Sequence, residues 1–139
     1  MNSLVKKSIC FDLDDTICFP NHGVSDSYEK YGLAEPNHQV IQSMWDLKDH
    51  GFYIVILSAR RMVTHDGDMV KILDDIGKIT IDWLGKYDVP YDELIFGKPY
   101  VTTYYVDDKG MNLNDYLIWV KQFNSGTYEY EFQNEDSYW

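Results

Sequence analysis

The chain has 139 residues, of which 45% are hydrophobic and 16% aromatic, which is enough apolar material for one folded domain and excludes a disordered chain. Twelve basic against 23 acidic residues give a formal net charge of −11, so nucleic acid and anionic membranes are unfavourable partners. Because no apolar run reaches the roughly 20 residues of a membrane span and the start lacks the apolar stretch of a secretory signal, we expect a cytoplasmic protein.

The first predicted element is a strand over residues 4–11, where apolar and β-branched residues run into turn-forming aspartates. Directly after it, four acidic or hydroxyl side chains fall within five positions, namely Asp12, Asp14, Asp15 and Thr16. Cys10 is expected to be a reduced core residue of this strand, since neither cysteine belongs to a Cys-x-x-Cys or Cys/His metal pattern.

Residues 19–36 are rich in Pro, Gly, Ser and Asn and predict a long excursion or flap. Asn37 is then expected to cap a helix with a 3.6-residue apolar period, which ends at Gly51. Residues 52–57 are apolar throughout, as in a strand that is buried on both faces of a parallel sheet. This strand stops at Ser58.

A second amphipathic stretch covers about residues 68–86, and Gly77 is expected to bend or split it. Short strands are predicted over residues 94–96 and 103–106, and a helix over residues 113–123 follows them.

The predicted domain covers residues 1–124, without an internal repeat or linker. The remainder, residues 125–139, alternates Tyr and Phe with Glu. We expect it to be an acidic aromatic tail or an added edge strand.

Strands that alternate with helices predict an α/β fold, a three-layer Rossmann-like parallel sheet with helices on both faces. Ligands of such open sheets bind at the carboxyl ends of the strands. The polar residues that follow the strands should therefore share one crevice: Asp12, Asp14, Thr16, Ser58, Lys98, Asp107 and Asp108. Four aspartates would repel one another without a cation, and oxygen donors that await a phosphate favour magnesium.

Such a site suits phosphoryl transfer, because a carboxylate can form an aspartyl-phosphate that water then hydrolyses. The hydroxyl of Ser58 and the ammonium of Lys98 would support the transferring group. Each signal is weak by itself, since an Asp-x-Asp at a strand end is often turn chemistry or helix capping. Lys71 or Lys78 could also replace Lys98 as the lysine of the site.

The joint pattern resembles the four motifs of the haloacid dehalogenase-like superfamily of aspartate-nucleophile phosphotransferases. The matching stretches are, in order, "FDLDDT" (residues 11–16), "ILSAR" (56–60), the lysine of "FGKP" (96–99) and "YYVDD" (104–108). In detail, the chain looks like small phosphatase-like members associated with bacterial capsule and surface-polysaccharide synthesis, including phage-encoded relatives. The short spacings between the motifs leave no room for a large cap domain, so the resemblance implies a cap-less member.

The resemblance also implies roles for the first two aspartates and for the phosphate ligands. Asp12 would be the nucleophile, and Asp14 would exchange protons with the leaving oxygen and the hydrolytic water. Ser58 and Lys98 would bind phosphate.

Magnesium would be held by Asp12 and Asp14 together with Asp107 and Asp108. Thr16 would steady the first loop, and Thr16 and Arg60 are candidate substrate contacts.

One departure from the family pattern is visible in the first motif. The family usually has Gly after its second Asp, where this chain has Asp15, which adds negative charge beside the site.

These observations predict a magnesium-dependent phosphomonoesterase that acts on a small phosphorylated metabolite such as a sugar phosphate. Two alternatives remain open: a phosphatase of nucleotides or nucleic-acid ends, and a phosphate-binding protein with slow or no turnover. Since a cap-less crevice could be closed by a neighbouring subunit, a homo-oligomer is also a candidate partner arrangement.

Overall fold

The computed structural model describes residues 7–24 and 28–124 of the chain. The predicted tail, residues 125–139, lies outside these described residues. The elements, in chain order, are β1 (Ser8–Asp12), β2 (Cys18–Phe19), α1 (Glu29–Gly32), β3 (Glu35–Pro36), α2 (His38–Asp49), β4 (Tyr53–Ser58), α3 (Met69–Ile72), a π-helical turn (Leu73–Gly77), α4 (Lys78–Lys86), β5 (Glu93–Phe96) and α5 (Leu113–Asn124).

The main sheet has three parallel strands in the order β1-β4-β5. Asp12 pairs with Leu57 in the register of β1 and β4, and Ser58 pairs with Phe96 in the register of β4 and β5. The carboxyl ends of all three strands therefore lie at one edge of the sheet. The central residues of β4 are buried, as its continuous apolar sequence predicts, and the α/β fold with a parallel sheet flanked by helices is confirmed.

Helix α2 begins as the sequence predicts, because the side chain of Asn37 accepts a hydrogen bond from the backbone N–H of Val40. The backbone N–H of Asn37 also donates to the carbonyl of Ile17 at 2.8 Å, which ties the helix start to the loop after β1. Helix α5 packs beside α2, with the ring of Tyr116 edge-on to Phe11 at a centroid distance of 5.2 Å. These contacts form the main core of the domain.

The predicted amphipathic stretch is helical over residues 69–86, with a π-helical turn that ends at Gly77. The backbone stays helical through Gly77, so the stretch is distorted near the glycine and is not split. The indole N–H of Trp83 on α4 donates to the carbonyl of Ala34 at 3.0 Å. Helix α4 is thereby attached to the excursion that precedes α2.

The excursion is a small folded unit. Strands β2 and β3 form a two-stranded antiparallel sheet in which Cys18 pairs with Pro36, and α1 packs against α4. In the described residues, this unit and α2 separate β1 from β4, and short helices separate β4 from β5, so neither interval holds a large cap domain. Among the described helices, none combines the length and the apolar character that a membrane crossing requires.

The prediction of a strand over residues 103–106 was wrong, because these described residues form no strand. Tyr104 and Val106 are 82% and 95% exposed, so the segment buries almost nothing, and aromatic or β-branched composition alone does not form a strand. The prediction that Cys10 is a core residue was also wrong. β1 is an edge strand of the main sheet, and the Cys10 side chain is exposed.

Candidate active site

The loop after β1 is anchored by its apolar residues and presents its aspartates. Leu13 and Ile17 are fully buried, and the carbonyl of Leu13 accepts hydrogen bonds from the backbone N–H groups of Ile17 and Cys18 at 2.9 and 3.2 Å. Asp12 and Asp14 alternate with these buried positions and line a crevice at the carboxyl ends of the strands.

Asp15 adopts a backbone conformation that favours glycine. Its φ is 63°, in the left-handed region, which Asp tolerates better than most residues. Its backbone N–H donates to the carbonyl of Cys18 at 2.7 Å and closes the turn. This geometry accounts physically for the Gly that the family usually has at this position.

Lys98 reaches the first aspartate from the end of β5. The backbone N–H groups of Gly97 and Lys98 both donate to the carbonyl of Ser58 at 3.1 Å, and Nζ of Lys98 lies 3.2 Å from Oδ1 of Asp12. Gly97 has a φ of 103°, and a Cβ at this position would lie 3.1 Å from Sδ of Met69. Only glycine therefore fits the turn that places Lys98. Of the lysines considered from the sequence, Lys98 is the one that contacts Asp12.

The environment of Asp12 favours the neutral form of its carboxyl group. Desolvation raises the pKa of the Asp12 carboxyl above its ordinary value, and the nearby ammonium of Lys98 counteracts part of this increase. A carboxylate that is incompletely solvated and paired with a single cation is a better nucleophile than a fully hydrated one.

Asp14 is held by Arg60 in a two-pronged ion pair. Nε of Arg60 donates to Oδ2 at 3.0 Å, and Nη2 donates to Oδ1 at 2.8 Å. Nη1 donates to Oγ1 of Thr80 at 2.9 Å, and the guanidinium lies 4.2 Å from the ring centroid of Tyr31. Arg60 is 3% exposed and its nitrogens are engaged, so its direct contact is with Asp14, and the expected contact with substrate stays a prediction.

Ser58 and Thr16 support the loops and are not among the residues that line the crevice. The hydroxyl oxygen of Ser58 accepts a hydrogen bond from the backbone N–H of Arg60 at 3.1 Å, and Ser58 is 1% exposed. The carbonyl of Thr16 accepts from the side-chain amide of Asn37 at 3.1 Å. This contact is made by the backbone of Thr16, so the roles expected for its side chain and the binding of phosphate by Ser58 stay predictions.

Asp107 and Asp108 are exposed and do not line the crevice. Oδ1 of Asp107 accepts from the backbone N–H groups of Lys109 and Gly110, and these hydrogen bonds lower the pKa of the carboxyl. The strand that was predicted to carry this pair to Asp12 does not form over the described residues 103–106, and the role of the pair at the site stays a prediction.

The predicted magnesium site is consequently not assembled in this arrangement. In the part of the chain that the structure describes, no three His, Cys, Asp or Glu side chains are grouped so that they could hold a metal ion. Asp12 and Asp14 are each already paired with a cation, Lys98 and Arg60 respectively. These donors do not fit a magnesium ion as they stand, since that ion requires near-octahedral oxygen coordination.

The crevice has a volume of about 540 Å³ and an unusual charge for this chain. Four cationic and three acidic side chains line it, although the whole chain carries a net charge of −11. Its lining residues are Asp12, Asp14, Asp15, Lys30, Tyr31, Ala59, Arg60, Arg61, Val63, Thr64, Lys98, Tyr100, Val101 and Tyr105.

Lys30 and Tyr31 were missed by the sequence analysis. They belong to the excursion, where α1 has only four residues, too few for a periodic pattern. Their place at the crevice depends on the packing of α1 against α4, for which the sequence carries no local signal.

A crystal structure of a bacterial protein is similar to this chain over most of its length. The crystal structure of an MCSG target from Vibrio cholerae is 31% identical, with a TM-score of 0.70, and the match covers 86% of this chain and 98% of that one. No protein-family model matches the sequence, and no curated protein matches it.

Two further solved structures are more distant. A chain of the Pnkp1/Rnl/Hen1 complex is 25% identical with a TM-score of 0.45, and the match covers 64% of this chain and 26% of that one. The D,D-heptose 1,7-bisphosphate phosphatase from B. bronchiseptica, complexed with magnesium and phosphate, is 13% identical with a TM-score of 0.43. The match covers 65% of this chain and 49% of that one. These TM-scores are too low to support an inference about this chain.

Proposed function

We propose that this chain, which belongs to the same family as the Vibrio cholerae protein, has the haloacid dehalogenase-like fold and hydrolyses phosphoric monoesters. The observation that carries the proposal is the pair of Asp12 and Lys98, whose charged atoms lie 3.2 Å apart at the carboxyl ends of two strands. A carboxylate nucleophile beside a fixed cation, in an acidic protein whose crevice gathers positive side chains, suits attack on an anionic ester.

In the proposed reaction, an oxygen of Asp12 attacks the phosphorus atom and forms an aspartyl-phosphate. The bond from phosphorus to the ester oxygen breaks, and the alcohol leaves with its oxygen. Water then attacks the aspartyl-phosphate, which releases inorganic phosphate and restores the Asp12 carboxylate. Lys98 offsets the charge on the transferring oxygens throughout.

Asp14 is proposed to exchange the proton, first with the leaving oxygen and then with the attacking water. It follows Asp12 by two positions in the anchored loop, and Arg60 fixes the direction of its carboxylate. The role of Arg60 in this proposal is therefore to position Asp14.

Magnesium dependence, which the sequence resemblance implies, stays a prediction. Since Asp107 and Asp108 are not assembled with Asp12, no step of the proposed reaction is assigned to a metal. The substrate is proposed to be a small phosphorylated metabolite such as a sugar phosphate, because the chain's net charge of −11 opposes the binding of a polyanion.

The proposal is tested by the release of phosphate from p-nitrophenyl phosphate, with and without magnesium. Asp12→Asn should abolish turnover, because the amide is not a nucleophile. The matched control is Asp82→Asn, which changes an exposed aspartate of α4 that pairs with Lys78 and should keep wild-type activity. Turnover that survives in Asp12→Asn would remove Asp12 as the nucleophile.

A second candidate substrate is a nucleotide or nucleic-acid end. It is favoured by Tyr100 and Tyr105, which line the crevice and are 62% and 52% exposed, since exposed aromatic rings can stack on bases. If this candidate is correct, phosphorylated oligonucleotides should bind with an affinity that rises steeply as salt is lowered. The chain's net charge of −11 opposes binding of a long polymer.

A further inference from the structure

The cations of the crevice divide into two groups. Asp12 is paired with Lys98 and Asp14 with Arg60, so these four side chains largely neutralise one another at the proposed reaction centre. Lys30 and Arg61 are further positive side chains that line the same crevice, and they come from different elements, the excursion and the loop after β4.

Lys30 and Arg61 are brought together by one aromatic ring. Nζ of Lys30 lies 5.0 Å from the ring centroid of Tyr31, and Cζ of Arg61 lies 5.3 Å from the same centroid. Tyr31 is 7% exposed, so its ring is a fixed support for both cations. Both cations therefore lie beside the same buried ring, and both line the crevice.

Arg61 is held in a strained backbone conformation. Its φ is 62°, a left-handed conformation that is uncommon for a residue with a long side chain. Nε of Arg61 lies 3.0 Å from Oδ2 of Asp75, which also accepts from Nε2 of His65 at 2.8 Å. Asp75 belongs to the π-helical turn, so an irregular helix and a strained loop hold this arginine at the crevice.

We propose that Lys30 and Arg61 form a second anion subsite, which selects phosphoric monoesters whose leaving group carries another negative group, such as a second phosphate or a carboxylate. This inference rests on the proposed function, because it takes the Asp12 and Lys98 pair as the place where the first phosphate reacts. The second negative group is held by Lys30 and Arg61.

The test compares glucose 1,6-bisphosphate with glucose 6-phosphate, which differ by one phosphate. Binding is measured by isothermal titration calorimetry with Asp12→Asn, and hydrolysis is measured with the wild-type chain. We expect the bisphosphate to bind about tenfold more tightly, since hydrogen bonds between charged groups are strong. The preference should weaken as salt is raised.

Lys30→Gln supplies the decisive variant, and Lys86→Gln is its matched control. Nζ of Lys86 lies 5.1 Å from the ring centroid of the next residue, Tyr87, which is nearly the same arrangement as Lys30 on Tyr31, but neither residue lines the crevice. In the Asp12→Asn background, Lys30→Gln should reduce the preference for the bisphosphate to about twofold or less. Lys86→Gln should leave it unchanged.

Arg61→Lys provides a second variant that keeps the charge and should retain part of the preference, whereas Arg61→Gln should lose it. Thermal unfolding of each variant shows whether it remains folded. Equal binding of the two esters, equal effects of Lys30→Gln and Lys86→Gln, or tighter binding of adenosine 5′-monophosphate than of the bisphosphate would overturn the subsite.

The two arms separate the subsite from the proposed function. If no ester, including p-nitrophenyl phosphate, is hydrolysed by the wild-type chain but the binding preference depends on Lys30, the proposed hydrolase is wrong and the subsite stands. If esters are hydrolysed without any preference for the second negative group, the hydrolase stands and the subsite is wrong.

Discussion

Arg60 and Asp14 form an ion pair whose two partners differ sharply in exposure. Nη2 of Arg60 lies 2.8 Å from Oδ1 of Asp14, and the side chains are 1% and 28% exposed, respectively. Loss of the aspartate would leave a guanidinium buried without its counter-ion, whereas loss of the arginine would leave a carboxylate that water can reach. The same ion pair should therefore respond unequally to the two substitutions.

Asp14→Ala should lower the free energy of unfolding by about 3–5 kcal/mol, the usual cost of an unpaired buried charge. Arg60→Met should cost less, about 1–2 kcal/mol, because Met fills much of the same volume and Asp14 can be hydrated. Urea unfolding followed by tryptophan fluorescence measures both values. As a control, Lys78→Met and Asp82→Ala, which break a pair that is 85% and 60% exposed, should each cost less than about 0.5 kcal/mol. Equal losses for Asp14→Ala and Arg60→Met would contradict this reasoning.

The raised pKa of Asp12 predicts how stability depends on pH. Desolvation raises this pKa in the folded state despite the opposing effect of Lys98, so the folded chain binds the Asp12 proton more tightly than the unfolded chain does. The contribution of Asp12 to stability is therefore fully present below the unfolded value near 3.8 and is lost as pH rises through the folded value.

Asp12→Asn removes this titration and should be more stable than the wild type at neutral pH, with a melting temperature higher by about 1–2 °C because the side chain is partly exposed. The difference should shrink as the pH falls below the ordinary carboxyl range. Thermal unfolding of both chains across pH 3–8, with Asp82→Asn as control, checks the sign. A lower melting temperature for Asp12→Asn at neutral pH would show that its pairing with Lys98 outweighs desolvation.

Asp15 combines a left-handed backbone with a negative charge beside the crevice, and two substitutions separate these properties. Asp15→Gly should raise the free energy of unfolding by up to about 1 kcal/mol, because glycine adopts a φ of 63° without strain. Asp15→Asn should change stability little, since Asn tolerates this conformation about as well as Asp. If the charge repels an anionic substrate, both variants should lower KM to a similar extent. A lower KM for Asp15→Gly alone would assign the effect to the backbone instead.

The elements that the sequence predicted correctly are those that depend on apolar burial and on local hydrogen bonds. Asn37 caps α2 as expected, and the apolar run of β4 forms the central strand. The pairing of Asp12 with Lys98 was also accessible, because parallel strands place their carboxyl ends at one edge whatever the details of the loops. These features depend on short-range chemistry and on a simple topological rule.

The remaining features depend on tertiary contacts that no local pattern encodes. The segment over residues 103–106 has strand composition, but its residues are exposed, and strand propensity is decided largely by neighbours. Lys30 and Tyr31 reach the crevice through the docking of a four-residue helix. Arg60 comes shortly after its strand, which made it a candidate substrate contact. The structure shows instead that its side chain is buried and paired with Asp14.

The edge position of β1 predicts different reactivities for the two cysteines. Cys10 is exposed, and Cys18 is buried with its pKa raised to about 12, mainly by desolvation and by the charge of Asp14. Since the thiolate is the reactive form, iodoacetamide at pH 8 should label Cys10 in the folded chain and leave Cys18 unmodified. Desolvation also raises the pKa of Cys10, so its labelling should be slower than that of a free cysteine and should accelerate as pH rises.

Mass spectrometry counts the labels, with one expected for the folded chain and two after unfolding in urea. Cys10→Ser is the matched control and should take up no label while folded, whereas Cys18→Ser should still take up one. Protection of Cys10 in the folded chain would mean that β1 is covered in solution.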